Sequence, residues 1–148
     1  MAGYGTDQGF TDWLNLNGHV LPEGAPAPAI LRQRGSQYID GLYSSRFSGQ
    51  PTGDFAQERA WPRADASAHG QSIPADVIPV AVEQAAYAAA FQEAVSPGSL
   101  SVAASASGAV KREKVDVLEV EYAAGSGDAV ADATLRLSQV EGLLAPFF

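Results

Sequence analysis

The chain has 148 residues, 46% of them apolar, which is enough for one domain with a real core and too apolar for disorder throughout. Its formal charge of −8, from nine basic residues against seventeen acidic ones, disfavours a general phosphate-neutralising surface. The absence of cysteine excludes disulfides, thiolate catalysis and cysteine-based zinc sites.

Residues 6–16 predict a first helix. Thr6 suits the N-cap, Asp7 complements the first turn, Phe10, Trp13 and Leu14 form one apolar face, and Gly18 suits the stop. The first residues have no basic stretch leading into an apolar run, and no segment approaches 18 apolar residues. The expectation is therefore a chain with neither signal peptide nor spanning helix, made in the cytoplasm. A Pro-rich connection, residues 22–28, precedes a second helix from about Ala29 to Tyr43. Its stripe runs through Ile30, Leu31, Arg34, Gly35, Tyr38, Ile39, Leu42 and Tyr43, with Arg32, Gln33, Ser36, Gln37 and Asp40 on the polar side.

Residues 44–72 read as a long irregular loop. Within it, Trp61 precedes a proline and is held extended, the natural anchor for a loop of this length. A third helix is expected from Asp76, with Pro79 in its first turn, to about Val95. It is alanine-rich and apolar nearly all round, so it is either an ordinary central helix or one completed by a neighbouring subunit. Residues 96–109 form a Ser/Ala-rich segment, either a loop or a weak edge strand. The strongest strand pattern, Val115 to Tyr122, follows the charged run Lys111-Arg112-Glu113-Lys114. The C-terminal segment, 128–148, carries Leu135, Leu137, Val140, Leu143, Leu144, Phe147 and Phe148. Asp132 or Thr134 could cap a short helix there, and the apolar end is expected to dock on a partner. The whole predicts a single domain over 1–148: a mainly α small helical bundle with a β-strand or hairpin insertion and extended loop and C-terminal arms.

Chemistry-bearing clusters are sparse. His19 and His69 have no metal-ligand spacing around them and read as loop histidines. There is no P-loop and no nucleophile elbow. Glu119 and Glu121 share one face of the predicted strand, best explained as solvated. No catalytic residue, metal or cofactor is expected. Lys111, Arg112 and Lys114 could touch phosphate, but a charged lead-in guarding a strand edge is favoured. Trp61 between Arg59 and Arg63 could stack a base; a tryptophan clamping its loop, with the arginines at a protein interface, is favoured. The interface candidates are Trp61, Arg63, Lys111, Arg112, Lys114, Leu143, Leu144, Phe147 and Phe148.

The order of motifs resembles the head–tail adaptor, or head-completion, proteins of tailed phages. It comprises Tyr4-Gly5-Thr6, Tyr38-Ile39-Asp40-Gly41 with Leu42-Tyr43, Gln57 to Trp61-Pro62-Arg63, Ile73-Pro74 with Pro79 to Val82, Val110 to Val115, Val120 to Tyr122, and a closing apolar element, Val140 to Leu144. The chain departs from the pattern at Asp116-Val117-Leu118, where a glycine often follows the first valine. The resemblance implies a virion neck subunit in a homo-oligomeric ring, twelvefold to match the portal. The ring would contact the portal protein and a downstream neck or tail protein, and DNA would pass through it without specific binding and without membrane contact. Proteins of this look are sometimes labelled DnaT-like, which makes single-stranded DNA binding the alternative expectation.

Overall fold

In the computed structural model, which describes residues 2–101 and 133–148, helix α1 spans Asp7–Leu16. Thr6 caps it, its hydroxyl accepting the Gly9 N–H at 2.9 Å. It ends in the motif that closes a helix on a left-handed residue: Gly18 donates to the Asn15 carbonyl and His19 to that of Leu14. Phe10, Trp13 and Leu14 are buried, as their spacing predicts.

Helix α2, Pro28–Tyr43, places proline in the first turn, where a missing N–H costs nothing. Leu31, Tyr38, Ile39 and Tyr43 enter the core, but so do Arg32 and Ser36 from the expected polar side. The N-terminal segment covers that side. Ser36 Oγ accepts the Tyr4 N–H at 2.8 Å, and Arg32 donates to the carbonyls of Gly3, Tyr4 and Gly5 and pairs with Asp7 at 2.8 Å. The polar stripe of α2 thus satisfies the backbone of a segment that has no secondary structure of its own.

The stretch expected as an irregular loop is organised by a 3-10 turn, Ser44–Arg46, and two small antiparallel hairpins. Strand β1 (Gln50–Pro51) pairs with β2 (Arg63–Ala64), and β3 (Ala66–Ala68) pairs with β4 (Gln71–Ile73). The β3–β4 turn is two residues long, His69-Gly70, both at positive φ, as a type I′ turn requires. Strands of two or three residues are too short to show alternation, which is why the sequence pattern misses them.

Helix α3, Val80–Val95, starts four residues later than expected. Ile78 precedes Pro79 and is steered away from helical geometry, so Asp76 lies in a turn closed by Val77 donating to the Pro74 carbonyl. Val82, Ala85–Ala90 and Ala94 are buried. The chain itself covers most of the helix, with α2, the C-terminal helix α4 (Ser138–Leu144) and α1 packed on it, and leaves Val80 and Val95 exposed. The α2–α3 approach is close at Gly35, where a Cβ would overlap the Ala86 carbonyl and the Ala90 nitrogen. Thr134 does not cap α4, whose N-cap is Leu137, and Asp132 lies outside the described residues.

The C-terminus corrects the sequence reading. Val140 and Leu144 are fully buried and Phe147 nearly so, in the core that also holds Trp61 and Phe47. The Ser48 N–H donates to the Phe147 carbonyl at 2.8 Å. The apolar end docks on its own chain, where Trp61 and Phe47 provide the surface it needs. Among the described residues the architecture is therefore four helices with two small hairpins inserted between α2 and α3. The expected strand Val115 to Tyr122 and most of the Ser/Ala-rich segment lie outside them. No helix among the described residues is long and apolar enough to cross a membrane.

Candidate functional site

Three of the sequence motifs meet in one buried cluster. Tyr4 comes from the N-terminal segment, Asp40 from α2, and Arg59 to Arg63 from the β1–β2 connection. Tyr4 Oη donates to Asp40 Oδ1 at 2.7 Å and accepts the Trp61 backbone N–H at 3.1 Å. The other Asp40 oxygen accepts the Ala60 N–H at 3.2 Å and lies 3.0 Å from Arg59 Nη1. That contact is an ion pair off the hydrogen-bonding direction, and the Arg59 guanidinium also lies over the Tyr4 ring, 6.0 Å from its centre. Arg63 donates to the carbonyls of Ser48, Ala60 and Gly49 at 2.8, 3.1 and 2.9 Å. Gln57 ties the loop, accepting the Gly53 N–H and donating to the carbonyls of Arg59 and Pro62.

Trp61 is fully buried and meets Phe47 and Phe147 edge-on, at ring-centre distances of 5.4 and 5.8 Å. Its indole N–H and Arg59 Nε have no hydrogen-bond partner. Burial dominates the titration of this cluster. It raises the Tyr4 hydroxyl strongly and raises the Asp40 carboxyl, against the downward pull of Tyr4, Arg59 and the Ala60 N–H; it lowers Arg63. The Gly5 of the first motif has positive φ and lies against the Tyr87 hydroxyl, which accepts the Thr6 N–H at 3.2 Å. The motif residues thus build a clasp that joins the N-terminal segment, α2 and the hairpin region.

Of the interface candidates, Trp61, Arg63, Leu144 and Phe147 are turned inward, because each has its partners inside the chain. Leu143 is half-buried; Phe148 is 36% exposed, with the Arg46 guanidinium 4.0 Å above its ring. Lys111, Arg112 and Lys114 lie outside the described residues. Sequence reasoning missed Arg32 and Asp40, whose signal was a charged residue beside the helix's apolar stripe. It also missed Phe55, wholly exposed on the β1–β2 connection.

The surface cations are committed as well. Arg34 pairs with Glu93 at 3.0 Å and Arg136 with Glu141 at 2.6 Å. Every arginine among the described residues therefore engages the protein's own acids, carbonyls or rings. Two surface concavities stand out. One, about 640 Å³, includes Arg34, Tyr38, Glu93 and Leu100 in its wall. The other, about 420 Å³, includes Trp13, His19, Phe91 and Arg136, with His19 stacked on Phe91 at 4.2 Å and 9°. Among the described residues, no group of three His, Asp or Glu side chains is placed to hold a metal ion.

Among the described residues, fold and clasp together define a small, largely helical fold with two hairpins, in which Tyr4, Asp40 and Arg59 to Arg63 serve the chain's own architecture. The chain matches the model of the family described as "Putative DnaT-like ssDNA binding protein" over residues 3–148, and it belongs to that family. That description coincides with the alternative expectation and makes no mention of a phage neck. No curated protein and no solved structure matches the chain.

Proposed function

We propose that the chain is a protein-binding structural subunit, a ring-forming adaptor between the portal and the downstream neck or tail proteins of a tailed phage. The observation that carries this reading is the commitment of the arginines: among the described residues each is engaged within the chain, while Phe55 stands fully exposed. A surface that offers an aromatic side chain but keeps its cations occupied suits protein contact better than phosphate neutralisation. The net charge of −8 agrees with a wall that DNA slides past. The motif order adds the phage neck as the setting. The test is binding of the purified chain to portal rings of the same phage. A stable complex visible by electron microscopy is the expected result, and no binding at micromolar concentrations would sink the reading.

The family description favours a second reading, single-stranded DNA binding. It requires cations and stacking rings along one groove. The aromatic concavity with Arg136 is the place on the described surface that comes nearest, and Lys111, Arg112 and Lys114 would have to add charge. Fluorescence anisotropy with an oligo-dT strand at low salt separates the two. Salt-sensitive binding with a steep slope supports the second reading, and a flat titration supports the first.

A further inference from the structure

We propose that Phe55 of one copy inserts into the aromatic groove of the next copy, giving a head-to-tail contact between identical chains. The inference rests on the ring-forming reading above and names its contact.

The knob is defined by its setting. Phe55 is 101% exposed, yet its loop is held at both sides: the Thr52 N–H donates to the Pro62 carbonyl, and Gln57 bonds Gly53, Arg59 and Pro62. Next to it, Asp54 is also exposed, its carboxylate accepting the Ala56 N–H at 2.9 Å. A large aromatic side chain presented in water on a tethered loop loses little further freedom when it binds, which is the property of an interface anchor.

The hole is the concavity between α1, α3 and the start of α4, bordered by Trp13, His19, Phe91 and Arg136. Its volume of about 420 Å³ has room for a benzyl group, since a cavity of about 150 Å³ suffices for benzene. Its walls suit that guest: Trp13, His19 and Phe91 already form a ring-on-ring series, with Trp13 and His19 centres 5.4 Å apart. Ala88 and Leu137 add apolar surface to the same walls.

Charge selects the occupant. The knob carries Asp54, while the groove carries Arg136, whose side chain is 59% exposed despite its pairing with Glu141. An acid-flanked aromatic is complementary to that rim. A nucleic-acid strand is less well served, because one guanidinium already shared with a carboxylate cannot neutralise successive phosphates. Knob and groove lie on different elements of one chain, so the contact is heterologous and propagates, closing into a ring if the rotation permits.

Sedimentation velocity on the full chain tests this with two variants. Phe55→Ser removes the knob, and His19→Asp sets an acid in the groove against Asp54. The wild type is expected to form assemblies larger than a monomer, and each variant alone to self-associate roughly 30-fold more weakly, the loss of one anchor aromatic. An equimolar mixture of the two is expected to stop at a heterodimer, because one retains the hole and the other the knob. If His19→Asp melts early, Gln139→Asp replaces it, since that side chain lines the groove and is exposed. A monomeric wild type, assembly indifferent to Phe55→Ser, or a mixture that fails to pair would each overturn the proposal. So would loss of oligo-dT binding in the variants with assembly unchanged, which would make the groove a nucleic-acid platform. A chain that stays monomeric yet binds portal rings removes this contact and leaves the adaptor reading intact. Phe55-dependent assembly without portal binding does the reverse.

Discussion

Asp40 takes hydrogen bonds or charge from Tyr4, Ala60 and Arg59, three residues far from it in the chain. Removing one partner of such a buried set leaves the others uncompensated, at a cost of about 3–5 kcal/mol. Asp40→Ala should therefore lower the unfolding free energy by about that amount in urea titration; a change under about 1 kcal/mol would show that the clasp is dispensable. Trp61→Ala should cost about 3–5 kcal/mol, as for other buried aromatics, because Phe47 and Phe147 cannot collapse into the space of an indole. Thermal melting measures it, and a near-parental melting temperature would contradict the packing around the indole. At this scale the sequence was partly legible. A tryptophan before proline in a long loop announced an anchor. The inward turn of Arg63 was not legible, because its partners are backbone carbonyls, and a carbonyl cage leaves no side-chain signature.

Helix pairing depends on small residues. A methyl group at Gly35 has no room between α2 and α3, so Gly35→Ala should destabilise by about 1–3 kcal/mol. Gly41, in the same helix, has open space on the side where a Cβ would stand, and Gly41→Ala should stabilise by up to about 1 kcal/mol through helix propensity. Opposite signs in chemical denaturation are the expected result. The anchoring of α4 is pH-dependent. Tyr43 donates to Glu141 at 2.7 Å, and this bond, with Arg136, holds the Glu141 carboxyl below its usual value of 4.5. The stability it contributes is present above about pH 4.5 and is lost as the pH falls through the lower, folded value. Glu141→Gln should flatten the acid limb of melting temperature against pH, and an unchanged limb would refute the linkage. Helices α1 and α2 were legible from caps and apolar spacing. The start of α3 was set by the residue before Pro79, and the β3–β4 hairpin by positive φ at His69 and Gly70, features that periodicity does not carry.

For the molecule as a whole, the decisive quantity is where charge and apolar surface are left after folding. Composition revealed the acidic balance; only the fold reveals that the arginines among the described residues are occupied internally and that the apolar C-terminus packs into the chain's own core. The exposed aromatic moves instead to Phe55, in a loop whose sequence carried no signal of it. Family membership ties the chain to proteins described as putative DnaT-like single-stranded DNA-binding proteins, while the proposed protein-binding role rests on the engaged arginines and exposed Phe55 of the described surface. The most direct measurement of the proposed adaptor role is mass spectrometry of purified, tail-bearing particles of a tailed phage whose genome carries this chain. An adaptor ring predicts peptides from this chain in amounts comparable to the portal protein, and their absence from finished particles would contradict that role.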